Sequence, residues 1–284
     1  MACRRWVGDQ PGPVAQFRME PRWVAAFLSS LLLGRQRSFA ADSRHLRSFV
    51  RPEPAVEDTH FIPPRGSFVV VTNHYYRPGY NMWWGMATVG EAISLSRGSP
   101  TEVTWIVANR WTYPDRLRQH VVTPLSLIVF RRLARMYGFI SMPPMPPHPE
   151  WAAEAVQAIR RTLTVAASAT EESPVILGLA PEGGDSPDGR LVLPPAGVGR
   201  FIAHLTRRGL GFVPVGVFEE NGRLTARFGP PFVPAVEDSA AHTETDRQVA
   251  DQVMGTIARL VPERLRGPWA SEPTVRVGSG TGEG

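Results

Sequence analysis

Two short uncharged runs, Phe68-Val69-Val70-Val71-Thr72 and Val175-Ile176-Leu177-Gly178-Leu179, constrain the fold more than any other part of the chain. Each is shorter than an ordinary helix and neither alternates with polar residues. That is the pattern of a strand buried on both faces, as in sheets covered by helices above and below. Each run stops at a polar motif, Asn73-His74 after the first and Pro181-Glu182-Gly183 after the second. Open α/β sheets place ligand and catalytic groups just beyond the carboxyl ends of their strands. A histidine at one such end and a glutamate at another point to a single site.

Strand and helix patterns alternate from about residue 66 onward, the signature of an α/β fold. Strands are expected at Ser67–Thr72, Val103–Ala108, Gly138–Ser141, Val175–Leu179, Gly211–Phe218 and, after the Asn221-Gly222 turn, Leu224–Phe228. Helices are expected at Asn81–Ile93, Pro124–Met136, Trp151–Ala167, Gly197–Arg208 and Glu244–Leu260, the last with Thr243 as its N-cap. The fold class is α/β: a mixed, largely parallel central sheet flanked by helices, with an N-terminal helical extension. The chain divides into a disordered N-terminus (1–20), a helical, membrane-associating extension (21–50), the α/β domain (51–266) and a disordered tail (267–284).

Within the extension, the apolar stretch Trp23 to Leu33 lies between Arg22 and Arg35. It falls short of the roughly 20 apolar residues that cross a bilayer. A core or capping helix, a membrane-surface helix and a signal segment ahead of Ala40-Ala41 all fit it. The uncharged run Val121–Phe130 is also too short to cross. Pro143 to Pro149, written PPMPPHP, is an extended connector.

Composition removes several chemistries. All 31 Lys+Arg residues are arginine, so neither a Schiff-base lysine nor a phosphate-loop lysine exists. Cys3 is the single cysteine, which excludes internal disulfides and cysteine-based zinc sites, and no metal site is expected. The net charge of +5 favours anionic partners without choosing among them, and no nucleic-acid motif is present.

His74 precedes Tyr75-Tyr76-Arg77-Pro78-Gly79, a sequence that must turn. A neutral histidine there can act as general base toward a hydroxyl. In Ala180-Pro181-Glu182-Gly183-Gly184-Asp185 the glycines let the backbone approach a ligand. Trp83 and Trp84 fit either an acyl-chain boundary or simple packing on the sheet. Gly184-Asp185-Ser186 is like the Gly-Asp-Ser block of serine esterases, but it comes late and no Asp-x-x-His follows it.

Taken in order, these segments resemble the phospholipid/glycerol acyltransferase family. Asn73-His74 matches the start of its first block and Gly138-Phe139-Ile140 echoes its second. Pro181-Glu182-Gly183 with Ser186, Gly189, Leu191 and Gly197 matches much of its third. Val213-Pro214-Val215 and Gly229-Pro230-Pro231-Phe232 echo its fourth. Three family positions differ: the first-block aspartate falls on Gly79, the second-block arginine on Met142, and the third-block Thr-Arg on Gly184-Asp185.

The resemblance implies an acyltransferase of the 1-acylglycerol-3-phosphate O-acyltransferase type. It would move an acyl group from an acyl-CoA or acyl carrier protein thioester to a lipid hydroxyl, with no other cofactor. His74, Glu182 and Asp185 are the candidate catalytic residues. Asn73, Tyr75, Tyr76, Arg77, Pro181, Gly183, Gly184, Arg190 and Arg200 are the candidate substrate contacts, and backbone N–H groups near Gly183 and Gly184 are candidate oxyanion donors. The expected partner is a membrane lipid surface, with the protein peripheral on the inner, cytoplasmic face of the cell membrane. Three states of the site fit the departures: a rebuilt site in which Asp185 or Glu182 orients His74, an acceptor without phosphate, or a non-catalytic binding protein of the same fold.

Overall fold

The structure is a computed structural model that describes residues 14–98, 101–113, 115–145, 147–186, 188–237 and 242–270. The strands are β1 (Gln16–Phe17), β2 (Val50–Arg51), β3 (Ala55–Glu57), β4 (Phe68–Thr72), β5 (Val103–Ala108), β6 (Ile140–Met142), β7 (Ile176–Leu179), β8 (Gly211–Glu220) and β9 (Arg223–Phe228). The helices are α1 (Pro21–Leu33), α2 (Phe39–Ser48), α3 (Met82–Ser96), α4 (Arg116–Tyr137), α5 (Ala152–Ala167), α6 (Val198–Thr206) and α7 (His242–Ala258).

Seven strands form one sheet in the order β3-β9-β8-β4-β7-β5-β6. Five neighbours, β8, β4, β7, β5 and β6, run parallel, and β9 with its parallel partner β3 runs the other way. The sheet is therefore mixed and largely parallel. Along β4, Val69, Val70 and Val71 are all fully buried. Successive strand residues point to opposite faces, so both faces of this central strand are covered by helices. Gly178 in β7 is equally constrained. A Cβ there would sit 2.3 Å from the buried Trp105 ring, so the missing side chain makes the room that the indole fills.

Several expectations need correction. Residues 14–20 are not all unstructured, because β1 pairs antiparallel with β2. The helix expected at Pro124 starts at Arg116, with Asp115 accepting the Arg118 N–H as its N-cap, and Pro124 lies inside it. Proline fits the first helical turn best, but the Ser126 hydroxyl accepts from the Trp111 N–H and anchors that stretch in place. Helix α7 already begins at His242, so Thr243 is not its N-cap. Gly267–Trp269 forms a 3-10 turn where a disordered tail was expected, and residues 1–13 and 271–284 lie outside the described residues. Trp84 is buried and stacks on Phe17, and Trp83 packs on Phe139, so both tryptophans pack in the core.

Candidate active site

β4 and β7 are parallel neighbours with Val71 opposite Leu179. Three residues further along each chain, His74 meets Glu182. The buried Glu182 carboxylate accepts the His74 backbone N–H and, at 2.9 Å, the Val192 N–H. Burial pushes this carboxyl above its ordinary range, while the two N–H donors pull it partway back. Both oxygens are committed to the backbone. Glu182 thus acts by clamping three loop segments, which corrects the expectation that it takes part in chemistry directly.

The next turn depends on Gly183, whose φ of +71° is one that residues with a Cβ rarely adopt. It delivers Asp185 to the ring of His74, with Nδ1 and Oδ1 2.9 Å apart. That separation is within hydrogen-bond range, yet Nδ1 forms no aligned hydrogen bond. The contact is a close approach with the oxygen off the N–H direction, and the Asp185 side chain, 59% exposed, has the freedom to swing into line. Among the described residues His74 Nε2 has no hydrogen-bond partner. Asp185 is thus the carboxylate nearest the His74 ring among the described contacts, without an aligned hydrogen bond to it. Ser186 and Asp188 stiffen the same loop, the hydroxyl donating to Asp188 Oδ1 at 2.9 Å. The Ser-x-Asp spacing was the sequence signal for that brace.

The remaining candidates divide sharply. Asn73 bridges the N–H and carbonyl of Val217 at 2.7 and 2.8 Å, tying the end of β4 to β8. Arg77 is buried and binds Glu219 with two bonds of 2.7 Å, with further bonds to the Ala15 and Pro78 carbonyls. Both side chains hold the fold and are spent there, not on a ligand. Tyr75 is buried, and its hydroxyl is pushed up by burial and by the charge of Glu219. Tyr76 is half-buried beside it. The Gly183 N–H bonds to the Ala180 carbonyl and is not a free oxyanion donor. Arg190 stands by Asp188, 3.9 Å away, and Arg200 is exposed.

A small apolar groove, open to solvent, starts at this loop. Pro181 and Gly183 belong to its wall, with Val107 from β5, Ile159 from α5, Phe201 from α6 and Met145 from the proline-rich connector. The connector was legible as extended but not as a wall; its single methionine, Met145, among prolines was the available signal. Gly197 also lines the groove, and Arg200 Nη2 lies 3.8 Å from where a Gly197 Cβ would stand.

Fold and site together define an α/β protein with a histidine and a carboxylate side by side at the carboxyl edge of a parallel sheet, and an apolar groove whose wall includes Pro181 and Gly183 of the same loop. Among solved structures, the chain is similar to the crystal structure of the 1-acyl-sn-glycerophosphate (LPA) acyltransferase, PlsC, from Thermotoga maritima. The two share 16% sequence identity and a TM-score of 0.47, with 85% of this chain and 83% of that chain covered. No protein-family model and no curated protein matches the chain.

Proposed function

We propose that the protein transfers an acyl group from a thioester, on coenzyme A or acyl carrier protein, to a hydroxyl of a lipid acceptor at a membrane surface. The observation that carries this reading is the approach of Asp185 to His74 Nδ1 at 2.9 Å, beside the apolar groove. On this reading the site is a rebuilt one, in which the loop after β7 supplies the carboxylate that the resembled family takes from its first block; the nearness of Asp185 to His74 supports it. His74 Nε2 takes the hydroxyl proton as the acceptor oxygen attacks the thioester carbonyl. The tetrahedral adduct then collapses, the C–S bond breaks, and the leaving thiolate recovers the proton from the imidazolium. Asp185 holds the ring and stabilises its charged form. The groove takes the acyl chain, and Arg200 at its edge meets an anionic part of donor or acceptor. No cofactor beyond the thioester enters this scheme.

The test is acyl transfer from labelled acyl-coenzyme A to acceptors with and without phosphate, comparing wild type with His74→Ala. Transfer that disappears in the variant supports the reading and names the acceptor class. A second reading draws on the unaligned His74–Asp185 contact: a non-catalytic lipid- or acyl-thioester-binding protein. Equal thioester binding by both proteins, with no transfer by either, would favour it.

A further inference from the structure

The stretch of helix α4 before Leu133 is built inside out, whereas its last turns bury Leu133, Ala134, Met136 and Tyr137. Between Val121 and Phe130 its two buried side chains are Thr123 and Ser126, whereas Val121, Leu125, Ile128 and Val129 are each about half exposed. Leu117, one turn before, is 76% exposed. An ordinary surface helix turns its apolar stripe to the core and its hydroxyls to water; this stretch does the reverse. The spacing 117, 121, 125, 128 lines one side of the cylinder, so the outward residues form a continuous stripe. Contiguous exposed apolar surface of this kind marks an interaction site.

The charges around the stripe identify the occupant. Arg116 and Arg118 flank its start, the latter 3.7 Å from Asp115, Arg131, Arg132 and Arg135 follow it, and no acidic residue occurs from 116 to 149. Arg131 spends part of its charge on Glu154 at 3.3 Å, but Arg132 and Arg135 are exposed. Trp111 stands at the edge, 55% exposed, its ring 5.0 Å from that of Phe130. An apolar stripe between cationic ends, with a tryptophan at its border, is the chemistry of a helix lying in the headgroup region of an anionic bilayer. At 22 residues with cations at both ends, α4 is not a spanning helix; among the described residues no helix is long and apolar enough to cross a membrane.

We infer that the outer face of α4 docks the protein on anionic lipid. The inference deepens the lipid-surface part of the proposed function, but binding is measured apart from acyl transfer and stands or falls without it.

The experiment is sedimentation of the full-length protein with phosphatidylglycerol vesicles and with phosphatidylcholine vesicles. Wild type binds the anionic vesicles more tightly, and salt weakens the binding. Leu125→Gln with Ile128→Gln lowers affinity on the order of a hundredfold, since two apolar side chains no longer enter the bilayer. Arg132→Gln with Arg135→Gln lowers it about 30-fold on phosphatidylglycerol and little on phosphatidylcholine. The arginine pair is exposed, so that variant folds even if the first does not, as circular dichroism will show. Binding unchanged in both variants overturns the inference, as does binding lost in Leu32→Gln with Leu33→Gln on α1 but retained in the α4 variants. Absence of vesicle binding, with self-association that the Leu125/Ile128 variant abolishes, overturns it in favour of a second copy as occupant.

Discussion

Asp185 brings to within 2.9 Å of His74 Nδ1 a carboxylate that the residues just after His74 lack. The expected position is Gly79, and the structure brings the carboxylate from a loop more than a hundred residues on. Asp185→Asn keeps the size and removes the charge that steadies an imidazolium. Transfer is expected to fall about 10²- to 10⁴-fold in kcat with KM little changed, as read by steady-state kinetics. His74 and the loop carrying Glu182 and Asp185 were legible as parts of one candidate site because each followed a recognisable strand end, but the sequence did not choose between the two carboxylates. The roles of Glu182, Asn73 and Arg77 were not legible. A polar residue at a strand end reads the same whether it meets a ligand or the neighbouring backbone, and only the contacts to Val192, Val217 and Glu219 distinguish the two.

At the scale of elements, close packing decides which residues are tolerated. Gly199 in α6 lies against α7, where an added Cβ would sit 1.8 Å from the Asp246 carbonyl oxygen. The same Asp246 accepts the Gly197 and Arg200 N–H groups and caps α6 from across the interface. Gly199→Ala therefore forces the helices apart and should cost about 3 kcal/mol in denaturant unfolding. The site follows α6, because Gly197, Val198 and Phe201 line the groove.

Helix α5 is tied to the loop after β5 through Glu154. Its carboxylate accepts from Arg110 and, at 3.0 Å, from Asn109. Burial pushes the Glu154 carboxyl up, but the hydrogen bond and charge of Arg110, with Asn109 and Arg131, outweigh it and hold the group below its ordinary 4.5. A depressed carboxyl contributes stability that is present above its unfolded value and lost as pH falls through its folded one. Glu154→Gln should accordingly have a lower Tm than wild type at neutral pH, and the gap should close as the pH drops below 4.5. A gap that stays constant with pH would assign the loss to packing.

Among the described residues a seven-stranded sheet and the two-stranded β1–β2 sheet share one core. Phe39 and Leu46 from α2 are buried in the same core as β4 and β8, so the segment expected to be an appended extension is integrated into the domain. Thermal unfolding should therefore be one transition, with far-ultraviolet circular dichroism and tryptophan fluorescence sharing a midpoint. An early fluorescence change, from Trp23 on α1, would instead show that the N-terminal helices detach first.

By itself the sequence determined the six strands from β4 to β9, most of the helices, the fold class and the two strand ends that carry the candidate site. Burial on both faces and turn chemistry are local properties, written in runs of five to ten residues. The tertiary structure alone decided the order of the strands, and with it the meeting of residues 108 positions apart, His74 with Glu182. It also decided that α4 turns its apolar stripe outward, because periodicity shows that a helix has two faces but only packing selects which of them meets water.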